Sequence, residues 1–311
     1  MTHDLTERVK RRALEIGFAG VGIARAEKCS GEFAHLEEWL KRGYQGSMRW
    51  MERNGSKRED PSAIVPNARS VVSVAMNYYT DTQHATDPGD GKISRYAWGD
   101  DYHFIMEERL DRLQAFLIKE VPGSNCRRYV DTGPVMDKAW AVRAGVGWLG
   151  KHTNVITREY GSWVFLGEII TDIHLVADQP IEDFCGTCTA CLDACPTGAI
   201  VEPYLVDSNK CISYLTIEHR GTIPGDLSPK FENWVYGCDI CQDVCPWNKF
   251  QKVTTNESFR ARPDNVAPPL EELASMPQEE FSKRFKRSPV KRTKLQGLRK
   301  NAKAVLESKR T

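Results

Sequence analysis

The sequence lacks the features that mark exported and membrane-spanning proteins. The chain begins Met1-Thr-His-Asp-Leu-Thr-Glu, with no apolar segment behind a basic start, so we expect no signal peptide. No stretch approaches the apolar length that spans a bilayer, so we expect no membrane partner. The pattern G-x-G-x-x-G is also missing after the apolar run 18–24, which argues against a dinucleotide-binding loop there.

Charge is nearly balanced over the 311 residues but is uneven along the chain. Lys and Arg total 43 against 42 Asp and Glu, for a formal net charge of +1. From Phe281 onward, however, basic residues follow one another with almost no acidic ones between them. Such a stretch is the electrostatic footprint of a phosphate-backbone partner, or alternatively a solvated helical face without a partner.

Eight of the ten cysteines fall in two runs with a lone cysteine between them. The first run, 185–196, has the C-x₂-C-x₂-C-x₃-C-P spacing of bacterial ferredoxins, and the second, 238–246, repeats its last part after Cys211. Two intervening residues let successive sulfurs face one metal centre from a tight loop, with backbone amides free to hydrogen-bond the cluster. The pattern predicts two 4Fe–4S clusters with four thiolates each.

The cysteine before each proline predicts how the thiolates divide, because in ferredoxins it ligates the other cluster. We predict cluster one at Cys185, Cys188, Cys191 and Cys245. We predict cluster two at Cys195, Cys211, Cys238 and Cys241. Zinc and disulfides are the alternatives, but zinc ribbons usually pair two C-x-x-C motifs and disulfide frameworks suit short secreted chains. Thiolate clusters need a reducing compartment, which favours the cytoplasm and leaves Cys29 and Cys126 as ordinary thiols.

Hydrophobic periodicity predicts a mixed α/β domain over residues 1–175. We predict helices over 4–16, 102–120 and 135–144, and a further helix capped by Ser30. Predicted strands are 18–24, 70–77 and 127–130, with 155–157 and 163–170 paired across a turn at Tyr160-Gly161. A cluster domain over 176–255 and a basic helical segment over 256–311 complete the predicted organisation.

Six further segments carry motifs: 131–134, 144–151, 160–168, 195–199, 211–218 and 237–248. Together they resemble epoxyqueuosine reductases, the cobalamin-dependent iron–sulfur enzymes that complete queuosine in tRNA. The last two segments, Cys211-Ile-Ser-Tyr-Leu-Thr-Ile-Glu218 and Gly237-Cys-Asp-Ile-Cys-Gln-Asp-Val-Cys-Pro-Trp-Asn248, are the most specific. The resemblance runs from near the start to about residue 300. Many members of the family continue into a helical-repeat domain after this point.

The resemblance implies a nitroreductase-like, cobalamin-binding catalytic domain followed by a bacterial-ferredoxin-like domain with two 4Fe–4S clusters. It implies reduction of epoxyqueuosine to queuosine at the wobble position of tRNA, with electrons relayed through the clusters to cobalamin. Base-off cobalamin agrees with the sequence, because Asp101-Tyr-His103 and Asp172-Ile-His174 both lack the later glycine of the D-x-H-x-x-G cobalt-ligand motif. The implied partners are tRNA carrying epoxyqueuosine and an external low-potential electron donor of the flavodoxin or ferredoxin type; we expect a monomer.

Individual residues follow from the same resemblance. Asp131 matches the family's proton donor, and an acid at neutral pH requires burial to raise its pKa. By its position alone, Asp131 would be a turn cap. Expected cobalamin contacts are Arg58, Asp131, Lys151, His152, Val155, Leu166, Ser213, Cys238 and Asp239, with Lys57 and Arg95 as weaker candidates. The glycines around Lys151 would let backbone approach a large flat ring. Expected tRNA contacts are His219, Arg220, Lys283, Arg284, Lys291 and Arg292.

Three other functions are compatible with parts of this pattern. A reductive dehalogenase combines the same cofactors with a carbon–halogen bond, although those enzymes usually carry an export signal and would not need a basic tail. A ferredoxin-like electron carrier would use residues 1–175 to bind a redox partner. A zinc-dependent RNA-binding module would use the cysteines without iron.

Overall fold

The structure is a computed structural model that describes residues 2–309. Its helices are α1 (Thr2–Ile16), α2 (Ser30–Lys41), α3 (Gly55–Glu59), α4 (Tyr102–Glu120), α5 (Asp137–Arg143), α6 (Ala190–Asp193), α7 (Ile212–Ile217), α8 (Ile240–Asp243), α9 (Pro263–Val266), α10 (Leu270–Ser275), α11 (Gln278–Arg284) and α12 (Lys294–Ser308). Its strands are β1 (Gly20–Arg25), β2 (Ser70–Asn77), β3 (Lys92–Ile93), β4 (Cys126–Tyr129), β5 (Trp148–Leu149), β6 (Val155–Ile156), β7 (Val164–Thr171), β8 (Ile200–Glu202), β9 (Leu205–Val206) and β10 (Trp234–Tyr236). Across residues 2–309, none of these helices is both long and apolar enough to cross a bilayer.

The chain forms two compact units that are not continuous in sequence. The first unit contains residues 2–43, 49–77 and 102–187, and the second contains 44–48, 78–101 and 188–309. The three predicted domains followed composition along the chain, whereas the units follow packing. Residues 78–101 pack with the carboxy-terminal part because Ile93, Ala97 and Trp98 complete its hydrophobic core.

An antiparallel sheet of four strands, in the order β1-β2-β7-β4, forms the centre of the first unit. The central pair β2–β7 runs from Ser70 opposite Thr171 to Asn77 opposite Val164. Every residue of β2 is buried, because helices cover both faces of the sheet, and this explains its nearly continuous apolar sequence. On the face that α5 covers, Trp140 packs with Val71 and Ile170.

Most predicted elements of this unit are confirmed, but two local predictions were wrong. β6 pairs with β5 through Trp148 and Ile156, so it does not form a hairpin with β7, whose partners are β2 and β4. Ser30 is the first residue of α2 and not its cap; its Oγ donates to Glu59 Oε1 at 2.9 Å, and Cys29 occupies the N-cap position.

The second unit is built around a short parallel pair, β3 and β10, with α7, α10 and α12 contributing to its core. The carboxy-terminal helix α12 belongs to this core. Asn301 on α12 is fully buried, and its Nδ2 donates to the carbonyl oxygens of Thr216 at 2.7 Å and Val235 at 2.8 Å. The predicted basic segment is therefore an integral part of the unit that carries the cluster motifs.

Replacing this asparagine tests the role of α12. In Asn301→Leu the branched shape of the side chain is kept, but the carbonyl oxygen of Val235 loses the Asn301 donor. The carbonyl oxygen of Thr216 loses the same donor and keeps its bond from Thr293 Oγ1. We expect the free energy of unfolding to fall by about 1–3 kcal/mol. Chemical denaturation measures this, with Lys303→Ala as the matched control on the exposed face of the same helix. Equal stability of the two variants would contradict the assignment of α12 to the core.

Candidate active site and metal centres

Asp131 lies in the loop that follows β4, and 67 % of its side chain is exposed. Its φ of +55° is in the left-handed region, which is uncommon for residues other than glycine. Tyr102 Oη donates a hydrogen bond to Asp131 Oδ2 at 2.9 Å, and His103 Nε2 is 3.7 Å from the same oxygen. The Tyr102 ring stacks on Phe165 with centroids 4.2 Å apart, which fixes the position of its hydroxyl.

The surroundings of Asp131 favour its ionised form. The interaction with His103 has the largest effect and lowers the pKa of the carboxyl. The Tyr102 hydrogen bond and the charge of Lys138 lower this pKa further, whereas burial acts to raise it. In the unliganded protein these interactions outweigh desolvation, and a raised pKa of Asp131 near a bound corrin stays a prediction. Asp131 must gain a proton before it can act as an acid.

Two further carboxyls, which the sequence analysis missed, lie next to the Asp131 loop. Glu168 in β7 is fully buried, and Ser73 Oγ donates to its Oε1 at 3.4 Å. Its carboxyl group contacts that of Asp137, the first residue of α5. Burial raises the pKa of both groups, and their mutual repulsion raises that of Glu168 further. The sequence does contain a signal that could have identified Glu168, because it is a charged residue within the otherwise apolar run 163–170.

Lys151 connects the glycine-rich segment 145–154 to the first cysteine of the cluster motif. Its Nζ donates to the carbonyl oxygen of Gly186 at 2.6 Å, and its backbone N–H donates to the sulfur of Cys185. The Lys151 side chain is buried. This residue therefore holds the Cys185 loop in place within the first unit.

The glycines of the same segment are required by packing inside it. A Cβ atom at Gly147 would overlap the carbonyl oxygen of Ile156, and one at Gly150 would overlap the Ile156 and His152 side chains. Close approach of a ligand ring to these glycines remains a prediction.

His152 is a buried, neutral histidine with one nitrogen available. Burial lowers its pKa to about 4. The Asn154 backbone N–H donates to His152 Nδ1 at 3.2 Å, so the neutral ring carries its proton on Nε2. Nε2 is enclosed and finds no hydrogen-bond partner among residues 2–309. It can donate to an acceptor group of a bound ligand.

The other candidates in the first unit are hydrophobic or partly desolvated. Arg58, at the end of α3, is 8 % exposed, and burial lowers its pKa while the charge of Asp137 opposes that effect. Val155 is buried in β6, and Leu166 is half-buried in β7 opposite Ala75. Lys57 is exposed.

Asp239 holds the second unit together next to Cys238. Its fully buried carboxylate accepts hydrogen bonds from Ser94 Oγ at 2.5 Å and from the Arg95 backbone N–H at 2.8 Å. His84 Nε2 lies 3.0 Å from its Oδ2. The side chain is thus committed within the unit, and any contact of Asp239 with a cofactor must come from its backbone.

Arg95 is structural for a similar reason. Its guanidinium donates to the carbonyl oxygens of Thr80 and Thr82 at 2.7 and 2.6 Å. The same group lies over the rings of Tyr79 and Trp98, 4.9 and 4.6 Å from their centroids. Ser213, another predicted cofactor contact, is half-buried in α7.

All ten cysteines are free thiols, and seven of the eight in the motifs belong to the second unit. Burial raises the pKa of Cys241, and the neighbouring thiols of Cys211 and Cys195 raise it further. Burial also raises the pKa of Cys238, and the thiols of Cys241 and Cys211 add to this increase. The pKa of Cys245 is raised by burial and, to a smaller extent, by Cys188. Cys191, which the ferredoxin pattern assigns to the other cluster, also raises the pKa of Cys241, so the assignment of each thiol to one cluster stays a prediction.

Backbone N–H groups point at several of these sulfurs. The Ala199 N–H donates to Cys195 Sγ at 3.3 Å. Trp247 and Asn248 donate from their backbone to Cys245, and Ile240 donates to Cys238. N–H···S hydrogen bonds are typical of iron–sulfur ligands. Among residues 2–309, no three His, Cys, Asp or Glu side chains are grouped as they would be around a single metal ion.

The predicted tRNA contacts divide into structural and exposed residues. Arg220 donates to the carbonyl oxygens of Ile217 at 2.8 Å, Arg292 at 2.9 Å and Thr293 at 3.3 Å. Arg284 pairs with Glu272 and donates to the carbonyl oxygen of Asp264.

The remaining predicted contacts are closer to solvent. His219 Nε2 lies 3.0 Å from the Thr222 carbonyl oxygen, and Arg292 forms a two-pronged ion pair with Glu218. Lys283 and Lys291 are exposed.

Two family models match the chain. Residues 58–132 match epoxyqueuosine reductase QueG, DUF1730, and residues 184–248 match a 4Fe-4S double cluster binding domain. The second match spans all eight predicted cluster ligands, which confirms a two-cluster iron–sulfur domain.

Relatives and solved structures agree with these matches. The epoxyqueuosine reductase of Synechocystis is 48 % identical over 291 residues, covering 92 % of this chain and 100 % of the relative. A crystal structure of epoxyqueuosine reductase with an epoxyqueuosine-modified tRNA-Tyr stem loop has a TM-score of 0.91 and 35 % identity, covering 97 % of this chain and 81 % of that one. The Bacillus subtilis enzyme, with its catalytic aspartate loop swung out of the active site, matches with a TM-score of 0.91, 34 % identity and the same coverage.

A catabolic reductive dehalogenase is similar in fold alone. Its TM-score is 0.52 at 18 % identity, and the match covers 96 % of this chain but 38 % of the dehalogenase. Curated epoxyqueuosine reductases are 43–48 % identical to this chain over most of its length, compared with 18 % for the dehalogenase. The chain belongs to the epoxyqueuosine reductase family.

Proposed function

We propose that this protein reduces the epoxide of epoxyqueuosine in tRNA to the alkene of queuosine. The observation that carries the proposal is the match, over 97 % of the chain, to an epoxyqueuosine reductase crystallised with an epoxyqueuosine-modified tRNA stem loop. Removal of the epoxide oxygen as water consumes two electrons and two protons. The chain must therefore bind an electron-transfer system, a proton donor and an RNA.

The thiols and their surroundings fit two 4Fe–4S clusters. Cys185, Cys188, Cys191 and Cys245 would hold cluster one. Cys195, Cys211, Cys238 and Cys241 would hold cluster two. The effects of Cys211 on the pKa values of Cys238 and Cys241, and of Cys188 on that of Cys245, support part of this division. Iron binding would replace the protons that burial favours on Cys185, Cys238, Cys241 and Cys245.

The first unit offers groups that fit cobalamin, which supplies a redox-active cobalt centre able to react with the epoxide carbon when it is bound. His152 Nε2 is a buried donor without a partner among residues 2–309, and a corrin periphery carries amide carbonyl acceptors. Val155 and Leu166 supply apolar surface, and Arg58 a partly desolvated cation. We also propose the base-off form, and contacts from Lys151, Ser213, Cys238 and the backbone of Asp239.

Asp131 is the proposed proton donor. In the unliganded state its carboxylate is ionised and exposed, and Tyr102 and His103 orient it. Substrate binding would remove water from this loop and so shift the pKa of Asp131 upward. The protonated carboxyl could then transfer its proton to the epoxide oxygen, which must leave as water.

We propose that electrons enter from an external low-potential carrier of the flavodoxin or ferredoxin type. Cys188, a proposed ligand of cluster one, is exposed in the second unit. That exposure would give a donor protein access to cluster one, with cluster two as the relay to the substrate. A monomer in a reducing, cytoplasmic environment is consistent with these requirements.

Removal of the proposed acid tests the reaction directly. Asp131→Asn keeps the shape of the side chain but cannot supply a proton, so queuosine formation should fall by about 10²–10⁴-fold. Reconstituted protein, cobalamin and reductant are incubated with epoxyqueuosine-containing tRNA, which is then digested and analysed for queuosine. Iron content and cobalamin absorbance should be unchanged, and Asp226→Asn, an exposed aspartate of the second unit, is the control. Turnover by Asp131→Asn at the control rate would refute the assignment.

Single cysteine substitutions test the cluster ligands. After anaerobic reconstitution, Cys241→Ser should contain about half of the iron and of the iron–sulfur absorbance of the wild type, because one four-thiolate site has lost a ligand. Turnover should be abolished. Cys126→Ser, at a half-buried thiol 3.2 Å from Thr171 Oγ1, should retain the iron content of the wild type. Zinc in place of iron in the purified wild-type protein would contradict the cluster proposal.

The exposed lysines near the carboxy terminus test RNA binding. Lys283→Ala combined with Lys291→Ala should weaken tRNA binding and reduce the salt dependence of the association constant by about one unit of slope per lost phosphate contact. The double variant Lys28→Ala with Lys41→Ala removes the same charge elsewhere and is the control. Identical salt dependence in both variants would place the RNA on another surface.

A further inference from the structure

Glu168 and Asp137 form a buried pair of carboxyl groups beside the catalytic loop. Glu168 lies in the middle of β7 with Ser73 and Tyr129 as its cross-strand neighbours, on the face of the sheet that α5 covers. Asp137 begins α5, and the two carboxyls are in hydrogen-bonding contact. No step of the proposed reaction uses either residue as a donor to substrate.

Two oxygens of this pair have no donor. Asp137 Oδ1 and Glu168 Oε2 are both enclosed, and within residues 2–309 no N–H or O–H group is within hydrogen-bonding distance of either. Buried polar atoms are nearly always hydrogen-bonded, and two adjacent ionised carboxylates repel each other strongly in a desolvated site. One proton between the two groups removes both problems.

Asp137 also holds the backbone of Asp131. Its carboxyl accepts hydrogen bonds from the backbone N–H of Asp131 and from its own backbone N–H. Asp131 has a left-handed φ of +55°, a conformation that costs free energy for a residue with a side chain and persists only when its surroundings enforce it. The bond from the Asp131 N–H to Asp137 is one such constraint.

We infer that Asp137 and Glu168 are positioning residues for Asp131. A proton shared between the two buried carboxyls keeps Asp137 directed at the Asp131 N–H and so holds the acid in its left-handed conformation. The inference rests on the proposed role of Asp131, and it adds a protonation state, outside the reacting groups, on which the active loop depends.

The charges around the pair determine how it responds to pH. Arg58 faces Asp137 from α3, Asp131 faces both carboxyls, and His103 and Lys138 face Asp131. When the shared proton is lost, a second negative charge develops in the pair next to the carboxylate of Asp131. Repulsion then separates the groups, and the loop loses the acceptor of its N–H bond.

The sign of the stability effect follows from the raised pKa values. The pair of carboxyls keeps its shared proton in the folded state at pH values where the unfolded chain has lost it. The contribution of the pair to stability is therefore complete below the ordinary carboxyl pKa and is lost as pH rises through the raised, folded pKa. Loss of loop order and loss of stability should occur together on the alkaline side.

Glu168→Gln tests the shared proton. The glutamine amide donates to Asp137 at every pH, so the alkaline fall in turnover should move upward by at least one pH unit relative to the wild type. Glu168→Leu leaves Asp137 ionised without a partner, and its turnover should fall at least tenfold at every pH. Glu182→Gln, at an exposed glutamate of the same unit, is the control and should keep the wild-type profile. If turnover falls at the same alkaline pH in the wild type and in Glu168→Gln, the inference is overturned.

A second readout needs no tRNA and so separates this inference from the proposed function. Amide hydrogen exchange of the Asp131 N–H, expressed as a protection factor, should decrease for the wild type at alkaline pH and stay constant for Glu168→Gln. The thermal midpoint should follow the same pattern. An unprotected Asp131 amide in the wild type at neutral pH would overturn the inference even if the protein forms queuosine.

Discussion

The crowding of thiols in the second unit is the constraint on which the rest of the structure depends. Burial raises the pKa values of Cys238 and Cys241, and the neighbouring Cys211 thiol raises both further. Thiolates at these positions are stable only next to a cation, because desolvation and mutual repulsion both oppose the charge. Iron supplies that cation, so cluster assembly and the local order of this unit are coupled.

Much of the remaining second unit serves to hold these loops. The Asp239 carboxylate ties the segment after Cys238 to Ser94 and Arg95, and Arg95 is itself fixed between two aromatic rings. In the first unit, Lys151 does the same for the Cys185 loop. Asp239, Arg95 and Lys151, which the sequence suggested as cofactor contacts, thus form hydrogen bonds within the protein. Such hydrogen bonds hold a site rigid around its ligands.

The first unit arranges charge around one exposed aspartate. The unliganded protein favours the ionised form of Asp131, whereas burial raises the pKa values of the neighbouring Asp137 and Glu168 carboxyls, each of which has one oxygen without a hydrogen-bond partner among residues 2–309. The solved Bacillus subtilis structure, with its catalytic loop swung out, belongs to a protein with the same fold.

Local sequence signals predicted the elements well, and they failed where long-range packing decides. Cysteine spacing alone predicted the two-cluster iron–sulfur domain, and β2 and α4 were predicted with their observed bounds. The pairing of β6 with β5, and the place of residues 78–101 in the second unit, could not be predicted because no local pattern encodes them. The structural role of Asp239 depends on Ser94 and Arg95, about 145 residues away in sequence, so a motif match could not reveal it.

The most direct measurement of the central claim is the fate of the epoxide oxygen and of the electrons. Reconstituted protein receives tRNA with an ¹⁸O-labelled epoxide and a measured amount of a one-electron reductant. The account predicts that each queuosine formed consumes two electrons and that the label appears in water. Product that retains the labelled oxygen, as an alcohol or a diol, would contradict deoxygenation as the reaction of this protein.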